Sequence, residues 1–225
     1  MKINYYGHSA LHLEINGKSI LVDPFISANP KASKIDVNAL KADYILLTHA
    51  HYDHIIDVEA IAKRTDAVII SNHEVVTHYS NAGFKGHGMN QGGSWQFDFG
   101  KVKLVKAVHS SSFPDGKYGG NPVGFVISAE GKTIYLAGDT ALTMDMKLIP
   151  MFFKLDLAVL PIGGNFTMDV EEAVVAADFI ECDKVLGIHY DTAELIRIDH
   201  GASKQKFAAK NKELILLGIG ESIDI

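Results

Sequence analysis

Tyr44-Ile45-Leu46-Leu47-Thr48-His49-Ala50-His51-Tyr52-Asp53-His54 joins an apolar run to three imidazoles and a carboxylate packed into six positions. The run 44–47 reads as a buried strand, so the cluster sits where a strand gives way to a loop. His49 and His51 alternate and point the same way if the chain stays extended, whereas Asp53 and His54 are adjacent, diverge, and can face a second ion beside the first. Neutral imidazole is the commonest metal ligand, and histidines at this density have few other uses. The motif predicts metal, and its spacing suggests two ions.

Four ligands do not complete a dinuclear centre, so the rest of the chain has to supply more. Lys103-Leu104-Val105-Lys106-Ala107-Val108 runs into His109, Thr133-Ile134-Tyr135-Leu136-Ala137-Gly138 into Asp139, and Lys184-Val185-Leu186-Gly187-Ile188 into His189. Each is a strand-like stretch closed by a ligand-type residue. Any one of them alone could equally be a polar residue opening a turn. Together they matter more, because sheets align several strand ends along one edge, where α/β folds gather their site residues. Such an edge would pool five histidines and two aspartates.

His49-x-His51-x-Asp53-His54, followed by His109, Gly138-Asp139-Thr140 and His189, resembles the complete ligand set of the metallo-β-lactamase superfamily over nearly the whole chain. Tyr6-Gly7-His8-Ser9, Leu21-Val22-Asp23-Pro24, His109-Ser110-Ser111-Ser112, Tyr118-Gly119-Gly120, Gly163-Gly164-Asn165-Phe166-Thr167-Met168 and His189-Tyr190-Asp191-Thr192 resemble, more narrowly, a family of metal-dependent hydrolases near the ascorbate-6-phosphate lactonase-like branch. The resemblance implies that His49, His51 and His109 bind one ion, that Asp53, His54 and His189 bind the other, and that Asp139 bridges them. A carboxylate can span ions roughly 3.5–4 Å apart, and a water between them, its pKa lowered from about 15.7 toward about 7, would become a bridging hydroxide nucleophile. No serine or cysteine nucleophile is then required. All seven proposed ligands are nitrogen or oxygen donors, which admits zinc, manganese, iron(II) and cobalt. Zinc is the first expectation; manganese is the alternative that the lactonase-like resemblance implies.

The chain has 225 residues, 47% of them hydrophobic, enough for the large interior of one layered α/β catalytic domain over 1–225. No apolar run approaches the roughly 20 residues of a membrane span, and the start passes directly into a strand pattern with no secretory signal. Cys182 is the only cysteine, so there is no internal disulfide, and a reducing cytoplasm is the expected location. A net charge of −6 without basic blocks argues against nucleic acid as a partner and favours a small-molecule substrate. Homo-oligomerisation is left open.

Periodicity predicts strands over 2–6, 9–15 and 18–23, then, past the cluster, helices over 57–64 and 73–82 around a strand at 67–71. The second half predicts strands over 102–108, 123–129 and 132–137, a helix over 145–153, a strand at 156–160, a helix over 169–180, a strand at 184–188 and a helix over 202–210. Val170, Ala173, Val174, Ala177 and Ile180 recur at helical spacing behind a capping Asp169. Two runs of strands, each with helices, predict two face-to-face sheets with helices outside, a four-layer αββα sandwich that the resemblance also implies.

In the related branch a Gly-His-Ser lies close to the metals, which implies that His8 contacts substrate or protonates a leaving group, a catalytic role shared with Asp53. By itself His8 is equally a turn histidine bonded to backbone. Asp23 resembles the superfamily aspartate that orients the histidine cluster, and equally begins an Asp-Pro turn. Ser111, Tyr118 and Asn165 are candidate substrate-binding residues at the metal edge, suited to an anionic or polyol-like molecule. His12, His73, His78, His87 and His200 are excluded from the ligand set. The expected function is dinuclear metal-dependent hydrolysis of an ester-like bond, such as a lactone; the alternatives are a phosphodiesterase and a metal-dependent binding or regulatory module.

Overall fold

The apolar runs become strands because their alternate residues have two different interiors to fill. The computed structural model describes residues 1–225. One seven-stranded sheet contains β1 (Lys2–Gly7), β2 (Ala10–Ile15), β3 (Lys18–Val22), β4 (Tyr44–Leu46), β5 (Val68–Asn72) and β6 (Gly86–Met89) in that order, with the C-terminal β14 (Ser222–Asp224) beside β1. The second contains β7 (Ser94–Gln96), β8 (Lys101–Lys106), β9 (Val123–Ala129), β10 (Lys132–Leu136), β11 (Leu157–Pro161), β12 (Lys184–Ile188) and β13 (Glu213–Ile215), also seven strands in sequential order.

Between the sheets, Ile3, Leu13, Ile20, Leu46 and Ile70 meet Leu104, Phe125, Ile127, Leu136, Val159 and Leu186 in one buried cluster. The outer face of the first sheet packs Ile45, Leu47 and Ile69 on Val58 and Ile61 of α2 (Val58–Thr65) and on Val75 and Tyr79 of α3 (His73–Asn81). The outer face of the second packs Ala158, Leu160 and Val185 on Ala173, Val174 and Ala177 of α4 (Val170–Phe179) and on Phe207 of α5 (His200–Ala208). The layers are therefore helix, sheet, sheet, helix, as the pattern predicts. Asp169 caps α4 by accepting the Glu172 N–H at 2.9 Å, in a reciprocal capping box.

Two features depart from the sequence expectation. The segment 145–153 is a short 3-10 helix, Met144–Leu148, followed by turns. Pro150 lacks the N–H that a continuing helix would use, and Phe152 and Phe153 both donate to Ile149 O instead. A one-turn helix, α1 (Tyr52–Ile55), begins inside the histidine cluster, where an extended loop is the simplest reading.

Strand direction positions the site. β1 and β2, then β2 and β3, pair antiparallel, and β3 pairs parallel with β4, so β1, β3 and β4 run the same way. β8 and β9, then β9 and β10, pair antiparallel, while β10, β11 and β12 are parallel, which aligns β8, β10 and β12. The C-terminal ends of these strands lead to His8, Asp23, the 48–54 cluster, His109, Asp139 and His189. This is the edge at which open α/β sheets hold their ligands.

Candidate metal centre

Asp139 lies at the middle of the convergence. Its Oδ2 is 3.1 Å from His189 Nε2, 3.4 Å from His54 Nε2, 3.6 Å from His109 Nε2 and 4.0 Å from His49 Nε2. Donor atoms of His49, His51 and His109 form one compact group, those of His8, Asp53, His54 and His189 a second, and His49, His54 and Asp139 a third that links them. All seven residues proposed as ligands are thus brought together, and His8 joins the second group. His12, His73, His78, His87 and His200 lie elsewhere: His12 Nε2 is 2.7 Å from Ser19 Oγ, His78 stacks on Phe113, His87 lies tilted against Trp95 at 5.2 Å between centroids, and His200 pairs with Asp191.

The ring orientations are set from behind. Asp23, buried at the end of β3, accepts the Thr48 N–H at 2.8 Å on Oδ1, and on Oδ2 the Thr48 hydroxyl at 2.6 Å and His54 Nδ1–H at 2.9 Å. Because the Thr48 hydroxyl donates to Asp23, its oxygen is left to accept His49 Nδ1–H at 3.0 Å, which turns His49 Nε2 toward His51 Nδ1, 2.9 Å away. Ser110 Oγ is 3.3 Å from His51 Nε2. Asp57 fixes the neighbouring 26–27 turn by accepting the Ile26 and Ser27 N–H groups at 2.7 and 2.9 Å. Thr48 and Ser110 lie within the motifs read from the sequence but have no role assigned there, and Asp57 lies outside them, three positions after His54.

The donor set fits divalent cations. His54 Nε2 and Asp139 Oδ1 are buried with no hydrogen-bond partner, a costly state for polar atoms that a cation relieves. Burial first, and then the neighbouring imidazoles, hold His49 well below its usual value, in the neutral form that binds metal. Burial likewise lowers His51 and His109, and pushes His8 down to about 4 against the lift of its Asp53 partner. His54 runs the other way: burial would lower it, but the Asp139 and Asp23 carboxylates outweigh burial and raise it. Burial would raise Asp53 and Asp139; His8 and His54 for the first, His54 and His189 for the second, outweigh it and hold both below the usual carboxylate range.

A family model described as the β-lactamase superfamily domain matches residues 18–190. A metal-dependent hydrolase of Flavobacterium johnsoniae is 66% identical over 225 residues, covering 100% of both chains, and carries the family designation UPF0173. The chain belongs to the UPF0173 family of metal-dependent hydrolases. A relative from Christiangramia forsetii is 63% identical, again over 100% of each chain. The solved metallo hydrolase Igni18 from Ignicoccus hospitalis is 37% identical with a TM-score of 0.89, covering 99% of this chain and 97% of its own. The fold of this hydrolase is therefore that of the metallo-β-lactamase superfamily.

The three residues expected to bind substrate are placed differently. Ser111 is buried, accepts the Ala50 N–H at 3.2 Å and donates to Gly119 O at 2.9 Å, so its hydroxyl braces the metal loop. Tyr118 is exposed, but its hydroxyl donates to Asn121 Oδ1, and it lines a groove with Glu59, His73, Glu74 and Thr77 that contains none of the proposed ligands. Asn165 is exposed on a turn whose Met168 N–H donates to Thr140 O, beside Asp139. Tyr52 and Val108, the sequence neighbours of Asp53 and His109, are 48% and 41% exposed.

Proposed function

We propose that this protein is a dinuclear hydrolase that cleaves an ester-like bond, a lactone being the leading substrate type, in a small molecule. The observation that carries the reading is the position of Asp139 Oδ2 within 4.0 Å of imidazole nitrogens from both ligand groups. His49, His51 and His109 would hold one cation, Asp53, His54 and His189 the other, and Asp139 both. Two divalent ions there, zinc first and manganese as the alternative, would supply Lewis-acid polarisation of the scissile bond and would lower the pKa of water toward neutrality. The protein's own part is to keep His49, His51 and His109 neutral by burial, to fix the tautomers of His54 and His49 through Asp23 and Thr48, and to orient the substrate at the rim.

The test is metal analysis after reconstitution with zinc and with manganese, followed by turnover of lactones, simple esters and phosphodiesters. Two equivalents and lactone or ester turnover are expected, abolished by Asp139→Ala. Fewer than two equivalents would end the dinuclear reading. Turnover of phosphodiesters alone would move the activity to phosphorus, and a fully loaded protein inert on every class would favour a binding or regulatory role.

A further inference from the structure

His8 has both ring nitrogens engaged. Nε2 is 3.0 Å from Asp53 Oδ2, and Nδ1 is 3.0 Å from Thr192 Oγ1. A neutral imidazole carries one N–H, and its partners decide which nitrogen holds it. Asp53, ionised as any carboxylate ligand must be, only accepts, so the hydrogen belongs on Nε2. Nδ1 is then a lone pair that requires a donor, and the Thr192 hydroxyl is placed to be that donor. The competing acceptor for this hydroxyl, Tyr190 O, is at 3.5 Å, a much weaker contact.

The backbone reinforces the arrangement. His189 N–H donates to His8 O at 2.9 Å, and the two rings approach to 4.1 Å between centroids. Phe25 closes on the His8 ring edge-on at 5.4 Å. His8 is thereby tied by its main chain to one proposed ligand, His189, and by its side chain to another, Asp53. Thr192 follows His189 by three positions, so one loop delivers both a ligand and the group that sets its neighbour.

We infer that Thr192 is a positioning residue: by donating to His8 Nδ1 it fixes the Nε2–H tautomer, which makes His8 a strut that aims Asp53 instead of a metal ligand or a proton donor to the leaving group. The inference rests on the ligand role proposed for Asp53. An Nε2 that carries hydrogen has no lone pair for a cation, even though it lies among the donor atoms of Asp53, His54 and His189.

Thr192→Val keeps the side-chain shape and removes the donor, whereas Thr192→Ser keeps the donor. In Zn(II) titrations against a competing chelator, T192V should weaken the ion held through Asp53 by about 10- to 100-fold, with T192S staying within about threefold of the parent. The ¹⁵N shifts of His8, in metal-free and Zn(II)-loaded protein, should show a protonated Nε2 in the parent and in T192S. A parent His8 with hydrogen on Nδ1, or with a metal-shifted Nε2, overturns the inference, as does a T192V protein of unchanged zinc affinity. Asp53→Ala keeps the two readings apart. If it binds Zn(II) as the parent does, the ligand role of Asp53 has failed and the strut falls with it; if it loses an equivalent while T192V binds normally, the strut alone is wrong.

Discussion

Asp23 is a single carboxylate that satisfies three donors, the Thr48 N–H, the Thr48 hydroxyl and His54 Nδ1–H, all of them buried. Asp23→Ala strands those donors, and at about 1–3 kcal/mol for each buried group left unpaired the substitution should remove several kcal/mol from the metal-free protein. A urea midpoint unchanged by it would show that water or relaxation replaces the carboxylate. Acid should act on the same protein through the imidazoles. His8, His49, His51 and His109 are all lowered on folding, so between about pH 6.5 and the lower folded values the unfolded chain binds more protons, and stability falls as pH falls. His54, raised on folding, contributes oppositely: its share is fully present below about pH 6.5 and is lost as pH rises through its folded value. Denaturation of metal-free protein from pH 7 to pH 4.5 should therefore show a falling midpoint. The identities of these residues were legible in the sequence because metal chemistry narrows the choice of side chain. Their backbone was not: His8, Asp23 and His189 hold left-handed φ of 55°, 43° and 57°, a strained state for non-glycine residues that no local pattern announces.

At the scale of elements, strands whose two faces fill two interiors were readable, and those at the margins were not. β6, Gly86-His87-Gly88-Met89, lacks β-branched residues, and its first glycine is kept small by Val76 of α3, whose Cγ1 would lie 2.5 Å from an added Cβ. β13 and β14 are three-residue strands that exist through pairing with β12 and β1, which is tertiary information. The loop 111–120 illustrates how close packing serves the site. A Cβ on Gly119 would collide with Ala50 Cβ and lie 2.5 Å from Ser111 Oγ, so this loop presses directly on the residue between His49 and His51. Gly119→Ala should cost about 1–3 kcal/mol by overpacking and also weaken metal binding through displacement of His51. A loss of stability with metal affinity intact would show that the loop yields without moving the ligands.

Over the whole molecule, the C-terminal segment returns from the second sheet to the first. Tyr5 N–H donates to Glu221 O and Gly220 N–H to Tyr5 O, β14 pairs with β1, and an added Cβ on Gly7 would lie 2.9 Å from Ile219 Cδ1. β1 carries His8 at its end, so deletion of residues 218–225 should lower the unfolding midpoint, expose the β1 edge to association, and weaken metal binding at a distance from the ligands. Light scattering and Zn(II) titration would measure the last two; a truncated protein that stays monodisperse with full metal affinity would show that the return strand is dispensable. The layered architecture was legible from strand and helix order, whereas this closure was not, because its residues have no periodic pattern of their own.

The proposed ligands are divided between the two sheets: His49, His51, Asp53 and His54 follow strands of the first, and His109, Asp139 and His189 follow strands of the second. Neither half of the chain holds all seven proposed ligands, so the proposed ions would act as a logical AND between them. If the backbone were cut in the turn at 90–93, the first fragment would hold one input, and the second would hold the other together with β14, a strand that seeks the edge of the first. Tight zinc binding would then report that the two fragments had found each other, and this hydrolase would serve as a sensor of its own reassembly.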